Sequence, residues 1–317
     1  MQTMLGNHSV NARRRPPLIR NGAAFFAAAC LAALTALPAY AASGTLPLWQ
    51  VSDGHGHVLY LAGAMHALRP ADYPLPAAMN DAFARSDRLV EELDLASISI
   101  EQTSAVVRQK GMLPAGQTLA GAMNGDWNRA QAFARKAGMN LDLYRNFKPW
   151  LAAVEVADQV ATNAGYQSDL GVDRYFSGLA QKRHMPVTGL ETFAGQLDFF
   201  DAMVPALQRR FLLQALQDAP QAANELAQLH SAWRSGDLVK LAAIQRKDFA
   251  GYSQLRRILL DQRNENWMDV LEHCLADGDT CFVVVGVEHM AGPKGLPTLL
   301  RAAGDHVIQI DAAATGT

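Results

Sequence analysis

Two apolar runs, Val58-Leu59-Tyr60-Leu61-Ala62 and Cys281-Phe282-Val283-Val284-Val285, most constrain what this chain can fold into. Each ends in a glycine followed three residues later by a histidine: Gly63-Ala64-Met65-His66 and Gly286-Val287-Glu288-His289. A strand that is apolar at every position has no solvent face, so it belongs in a sheet covered on both sides. Each histidine then leaves the C-terminal edge of such a sheet, where α/β folds tend to build their ligand sites. Positions 66 and 289 lie 223 residues apart, and the repeated grammar predicts one site assembled from both ends of the chain.

The first 41 residues have a different character. Arg13, Arg14, Arg15 and Arg20 form a positive segment without acidic residues, Ala23 to Leu37 is apolar, and Ala39-Tyr40-Ala41 is a small-x-small cleavage site. That is the build of a secretory signal peptide cleaved after Ala41, and its apolar run is short for a membrane span. Residues 42–317 are then expected to be periplasmic or secreted, with no stable membrane insertion. The chain has 28 Lys+Arg against 30 Asp+Glu, and four basic but no acidic residues fall in 1–41, so 24 against 30 leaves a net −6. An acidic domain without a basic stripe excludes nucleic acid as a partner class. Half the residues are apolar and 18% are charged, so the chain can build a large core. No Pro/Gly/Ser linker or charge block divides 42–317, which reads as a single domain.

Along that domain, Leu48-Val51 and Val58-Leu61 flank Asp53-Gly54, a hairpin signal. His55 and His57 are expected to be solvated turn residues. Pro76 opens a helix to Ser86, which leads into Arg88-Leu89-Val90-Glu91-Glu92-Leu93-Asp94, a strand that turns acidic at its end. The β-loop-α-β order is the parallel-sheet pattern and brings those carboxylates near the edge that carries His66. Further helices are expected from Asp126 as a cap to Gly138, from Pro149 to Gly165, and from the Gly171–Phe176 segment to about Lys182. Pro186 to Leu190 is a short strand that delivers Glu191. Residues 193–276 read as helices with no strand signal. The last of these carries Leu255, Leu259, Trp267, Leu271 and Cys274 on its core face and Arg256, Arg257, Arg263 and Asn264 on a polar, ordinarily solvated face. The final strand, 306–310, is expected beside 281–285.

Cys30 is lost with the signal, which leaves Cys274 and Cys281, separated by the tight turn Asp277-Gly278-Asp279. An even count in an oxidising compartment favours a disulfide across this corner. Imidazoles and carboxylates gathered at one sheet edge are a ligand set for a divalent transition metal, with positions left for water. A spare carboxylate supplies a general base, and Arg263 an oxyanion or carboxylate contact. The zincin motif HExxH, Gly-x-Ser-x-Gly, a P-loop and GxGxxG are all absent.

Six motifs occur in an order that resembles the TraB/GumN family (TraB/PrgY/GumN). They are Gly63-Ala64-Met65-His66, the Leu89 to Asp94 strand end, Gly171-Val172-Asp173, Gly189-Leu190-Glu191 with Gln196, Arg263-Asn264, and Gly286-Val287-Glu288-His289 with Gly292. Pro74-Leu75-Pro76 and Gly295-Leu296-Pro297 add to the likeness, which covers residues 46–310. That family is similar to the Tiki metalloproteases and, more distantly, to the erythromycin esterase and ChaN-like haem-binding proteins. The resemblance implies an α/β fold. Its central mixed sheet is covered by helices and has two related halves, each with a strand-GxxH motif, plus a helical insertion.

The resemblance further implies a metal-dependent hydrolase, a Tiki-like peptidase acting on a peptide or protein substrate. His66, Glu92 and His289 would hold Mn, Co or Zn. Glu191 or Asp173 would orient a ligand or act as base, and Arg263 and Asn264 complete the site. Alignment through Glu92-x-Asp94 prefers Glu92 over Glu91 as the ligand. The alternatives are a non-catalytic haem- or peptide-binding envelope protein and an accessory to envelope polysaccharide export.

Overall fold

The computed structural model describes residues 44–312. The signal peptide expected over 1–41, its cleavage after Ala41, and Cys30 lie outside the described residues. Strands β1 (Thr45–Ser52), β2 (Val58–Ala64), β3 (Arg88–Glu91), β4 (Val187–Gly189), β5 (Cys281–Gly286) and β6 (His306–Asp311) form one sheet in the order β4-β3-β5-β2-β1-β6. From β4 to β2 each neighbour is parallel, whereas β1 runs antiparallel to both β2 and β6. The sheet is therefore mixed, and the fold is α/β.

The two apolar runs lie side by side. β2 and β5 pair in parallel from Leu59 opposite Cys281 to Ala64 opposite Gly286. All six β5 residues and all of β2 after Val58 are buried, as continuous apolar runs require. Fully burying each of the β5 Val and Phe side chains contributes about 1.5–3 kcal/mol, enough to fix this strand at the centre. β5 has β2 on one side and β3 on the other, so it has no free edge for the last strand. That corrects the pairing expected for 306–310: β6 joins β1 instead, and its one buried residue, Val307, is what an outer strand needs.

Helix α1 (Ala77–Ala84) joins β2 to β3. Between β3 and β4 run α2 (Ile100–Gly111), α3 (Leu119–Met123), α4 (Trp127–Lys136), α5 (Pro149–Asn163) and α6 (Val172–Arg183). Between β4 and β5 come α7 (Phe193–Asp201), α8 (Pro205–Asp218), α9 (Ala222–Arg234), α10 (Leu238–Asp248), α11 (Ser253–Arg256) and α12 (Gln262–Ala276). α13 (Leu296–Ala303) leads into β6. Residues of α1, α6, α9, α12 and α13 share the sheet's apolar core, where Phe83, Phe176 and Phe282 meet with ring centroids 4.6–5.5 Å apart. α3, α4, α5 and α8 build a separate helical core around Leu119, Ala130, Val156 and Leu212.

Local sequence accounts for most of these ends. Pro149 and Pro205 each start a helix at the first turn, where the missing N–H costs nothing. α2 buries only Val107 and Gly111, so apolar periodicity does not mark it; its signal is the reciprocal Ser99–Gln102 capping box. Asp126 precedes α4 but makes no capping hydrogen bond, contrary to expectation. The last long helix is not continuous either. A π turn over Arg257–Asp261 separates α11 from α12, and such turns often occur at functional sites.

Cys274, late in α12, is disulfide-bonded to Cys281 at the start of β5, with Cα atoms 6.0 Å apart. The bond ties the helix carrying Arg263 and Asn264 to the strand that delivers His289. Closing so short a loop contributes roughly 2–3 kcal/mol in the chain-entropy view. The Cys274→Ser/Cys281→Ser variant is expected to lose about that much in urea unfolding, as is the wild type under reductant. An unchanged midpoint in both would show that the bond constrains nothing.

Candidate functional site

The C-terminal ends of β2, β3, β4 and β5 deliver the site, and Gly286 is its centre. The backbone there is ordinary, with φ −49°, so glycine is required by space and not by conformation. A Cβ on Gly286 would lie 2.9 Å from His66 Nε2, 3.3 Å from Glu92 Oε1 and 3.6 Å from His289 Cδ2. The three side chains expected to act together therefore converge on one point. His66 Nε2 is 3.4 Å from Glu92 Oε1, and His289 Nε2 is 4.0 Å from the same oxygen. The Gly286 N–H donates to that oxygen at 2.7 Å.

Strand alternation separates the two adjacent glutamates. Successive side chains leave a strand on opposite faces, so only one of the pair can reach His66. Glu92 turns into the site. Glu91 is buried elsewhere, 1% exposed, with Oε1 accepting from the Leu95 N–H at 3.1 Å and Oε2 unbonded among the described residues. Burial pushes its carboxyl up to about 8, and Asp173 and Asp94 add to the shift.

Each imidazole has its second nitrogen engaged. His66 Nδ1 faces Asp173 Oδ2 at 3.3 Å, an ion-pair distance without hydrogen-bond alignment. Gly171, at the start of α6, lets this pair form: a Cβ there would strike the His66 carbonyl oxygen at 2.6 Å and Asp173 Oδ1 at 2.5 Å. His289 Nδ1 lies 2.5 Å from Asn264 Oδ1. Asn264 in turn donates to the carbonyls of His289, at 3.1 Å, and Lys294, at 2.7 Å. The network assigns the proton of His289 to Nδ1 and leaves Nε2 as an acceptor.

Arg263 is the largest departure from the expected solvated helix face. It is 8% exposed, and Asn264 is 2% exposed. The guanidinium donates to Glu92 Oε2 at 2.5 Å, to both oxygens of Glu191 at 2.8 and 2.9 Å, and to the Leu259 carbonyl at 3.1 Å. Its Nη1 also lies 3.3 Å from His289 Nε2. The Leu259 carbonyl belongs to the π turn, so the irregular helix supplies one acceptor for this buried cation. Glu191 takes further hydrogen bonds from Trp267 Nε1 at 3.0 Å and Gln196 Nε2 at 3.0 Å. With both oxygens already bonded, Glu191 orients Arg263. Trp267 reads as a core residue from its spacing, and it is one at 2% exposed, yet its indole also packs at a tilt against His289 with ring centroids 4.4 Å apart.

Charge follows from these contacts. Burial opposes ionisation of Glu92, but Arg263 and His66 outweigh it and hold the carboxyl well below its usual range. Burial likewise opposes the His66 cation, and Asp173 and Glu92 overcome it, raising that imidazole well above its ordinary value. Burial and the Arg263 charge push His289 down to about 3, so it stays neutral.

As a donor set, two imidazoles and one carboxylate suit a divalent transition metal, and the partners on Nδ1 leave both Nε2 atoms facing Glu92. Ligand atoms on one tetrahedral ion stand roughly 3.4 Å apart. The His66–Glu92 distance of 3.4 Å matches that, whereas His289 at 4.0 Å is held off by the Arg263 N–H on its Nε2. Accordingly, no three His, Cys, Asp or Glu groups among the described residues stand at metal-binding spacing. The residues fit in kind, with Arg263 as the competitor for the third position. His55 and His57 lie at the opposite end of β2, in the β1–β2 turn, where His57 Nδ1 pairs with Asp53 at 2.8 Å.

The chain matches the model of the TraB/PrgY/gumN family over residues 47–309, nearly the whole described domain, and it belongs to that family. No curated protein and no solved structure matches it. Among the described residues no helix is long and apolar enough to cross a membrane.

The Glu91 carboxyl gives a pH dependence of known sign. Unfolded, it releases its proton near 4.5; folded, it keeps it to about 8, so the fold binds the extra proton between those values and stability falls as pH rises through them. Glu92 acts in the opposite sense, and its contribution is lost as pH falls below 4.5. Between pH 5 and 8 the wild type is expected to lose on the order of 3–5 kcal/mol more than Glu91→Gln, measured by urea unfolding. Parallel curves for the two proteins would contradict this placement of the proton.

Proposed function

We propose that this protein is an exported, metal-dependent hydrolase, a peptidase of the Tiki type. The observation that carries the reading is the convergence of His66, Glu92 and His289 on the space that Gly286 leaves open. In this reading those three side chains hold a divalent ion, Mn, Co or Zn. When bound, such an ion lowers the pKa of a water and polarises a substrate carbonyl. The family membership supports the reading, and the disulfide supports an oxidising, exported setting.

The chain's own residues supply the rest. Asp173 holds the outward nitrogen of His66, and Asn264 holds that of His289, so both Nε2 atoms are aimed at Glu92 before substrate arrives. His289 is already neutral, and His66 would give up its Nε2 proton when the ion binds. Glu191, Gln196 and Trp267 fix Arg263 from behind. On release from His289, the Arg263 N–H is free to donate to a substrate carboxylate or to the oxyanion of a carbonyl under attack. Glu92 remains ionised through this exchange, because His66 and the Gly286 N–H still face it. Asp173 and Glu191 are thus positioning residues.

The test is hydrolysis of quenched-fluorescent peptides by residues 42–317 with Mn, Co or Zn supplied in turn. Wild type is expected to turn over with at least one of these metals, and Glu92→Gln to fall by at least about 100-fold while Glu91→Gln stays within about threefold. Equal rates in wild type and Glu92→Gln would contradict the assignment. So would a haem Soret band, or tight peptide binding, with no turnover under any metal.

A further inference from the structure

Beside this site lies a cleft of about 1040 Å³, counting the space open to solvent, for which none of the roles above accounts. Its walls are apolar and aromatic: Val156 and Val160 of α5, Phe211 of α8, and Phe249, Tyr252 and Leu255 around α11. Its polar lining is acidic. Asp218, Glu225, Asp248 and Glu288 all border it. The cleft shares a wall with the site, since it is lined by Leu259, whose carbonyl takes a hydrogen bond from Arg263, and by Glu288, which precedes His289.

Three of these four carboxylates share one cation, Lys247. Lys247 is bonded to Glu225, and Arg210 lies over the Tyr252 ring at 4.9 Å. Asp218 accepts a neutral hydrogen bond from Gln214 at 2.6 Å. The side chains of Asp248 and Glu288 make no hydrogen bond or ion pair among the described residues. Burial and the neighbouring Glu225 push the Asp248 carboxyl up to about 6, against the opposing charge of Lys247, which is itself bonded to Glu225. An apolar cleft with few convergent polar groups is the usual form of a ligand pocket, and aromatic walls favour a cation placed against them.

We propose that this cleft is a subsite for a basic peptide side chain, Lys or Arg. Its alkyl stem lies along the apolar wall and its charged head sits between Asp218 and Asp248, beside the Glu288 side chain. The proposal deepens the peptidase reading and rests on it for the identity of the ligand as a substrate residue. It names the substrate class: peptides with a basic residue close to the bond presented to His66, Glu92 and His289. Both elements of the recognition are needed. A charge alone would be taken by the exposed surface, and a stem alone would leave the acidic groups unpaired.

Binding, measured by calorimetry on metal-free protein, separates this from catalysis. Blocked peptides identical except for one Lys, norleucine or Glu are the probes, with n-hexylamine as competitor. The Lys peptide is expected to bind roughly tenfold more tightly than the norleucine peptide. The Asp218→Asn/Asp248→Asn variant is expected to bring the two within about twofold, and n-hexylamine to displace the Lys peptide. Equal affinities in wild type, a preference that survives in the variant, or no displacement by n-hexylamine would overturn the proposal. A Lys preference that is intact while no peptide is hydrolysed under any metal would sink only the peptidase reading.

Discussion

The buried guanidinium of Arg263 is the interaction on which this structure depends. It reaches from α12 to Glu92 past the end of β3, to Glu191 past the end of β4, and to His289 past the end of β5. A cation taken this far from water is tolerated only if every donor finds a partner. Removing one partner of such a buried pair typically costs about 3–5 kcal/mol, because the other charge is left uncompensated. Here two carboxylates, a carbonyl and an imidazole nitrogen supply the acceptors, and Trp267 and Gln196 occupy the remaining reach of Glu191. The strand ends are thus held at one point by charge as well as by the sheet ladder.

The ladder itself explains how distant sequence meets. β2 and β5 are the most apolar strands and occupy adjacent central positions, which puts His66 and His289 within one site although the helical part of the chain separates them. Glycines keep the approach close. Gly286 leaves room for three side chains, and Gly171 lets α6 start against the His66 carbonyl so that Asp173 reaches the imidazole. The disulfide and the Asn264 bridges then fix α12 against the β5 end. One polar cluster therefore couples four strand ends and three helices, α6, α7 and α12, and the acidic cleft borders it through Leu259 and Glu288.

Much of this was legible in the sequence. The continuous apolar runs identified β2 and β5, and the Gly-x-x-His ends identified the two histidines, because burial on both faces leaves a strong pattern. The choice of Glu92 over Glu91 came from the Glu92-x-Asp94 spacing of the family motif, and the structure turns Glu92 into the site and buries Glu91 elsewhere. Arg263 and Asn264 were different: on their helix they read as a solvated stripe, Arg263 stood out only as a cation able to contact an oxyanion, and the motif order of the TraB/PrgY/gumN family singled out the pair. Their burial depends on a π turn and on strand ends that come from other parts of the chain, which no local window contains. The same holds for β6, whose partner was decided by β5 having no free edge. The acidic cleft was not legible at all, since its carboxylates come from α8, α9, α10 and the turn after β5.

The central claim is that the two Gly-x-x-His motifs build one metal site. Its most direct test is the metal content of residues 42–317, purified without chelators and offered Mn, Co and Zn, beside a His66→Ala/His289→Ala variant of unchanged fold. About one metal per wild-type chain and none in the variant is the expected result. Equal metal content in the two proteins, whether full or empty, would contradict it and leave the histidines with a structural role only.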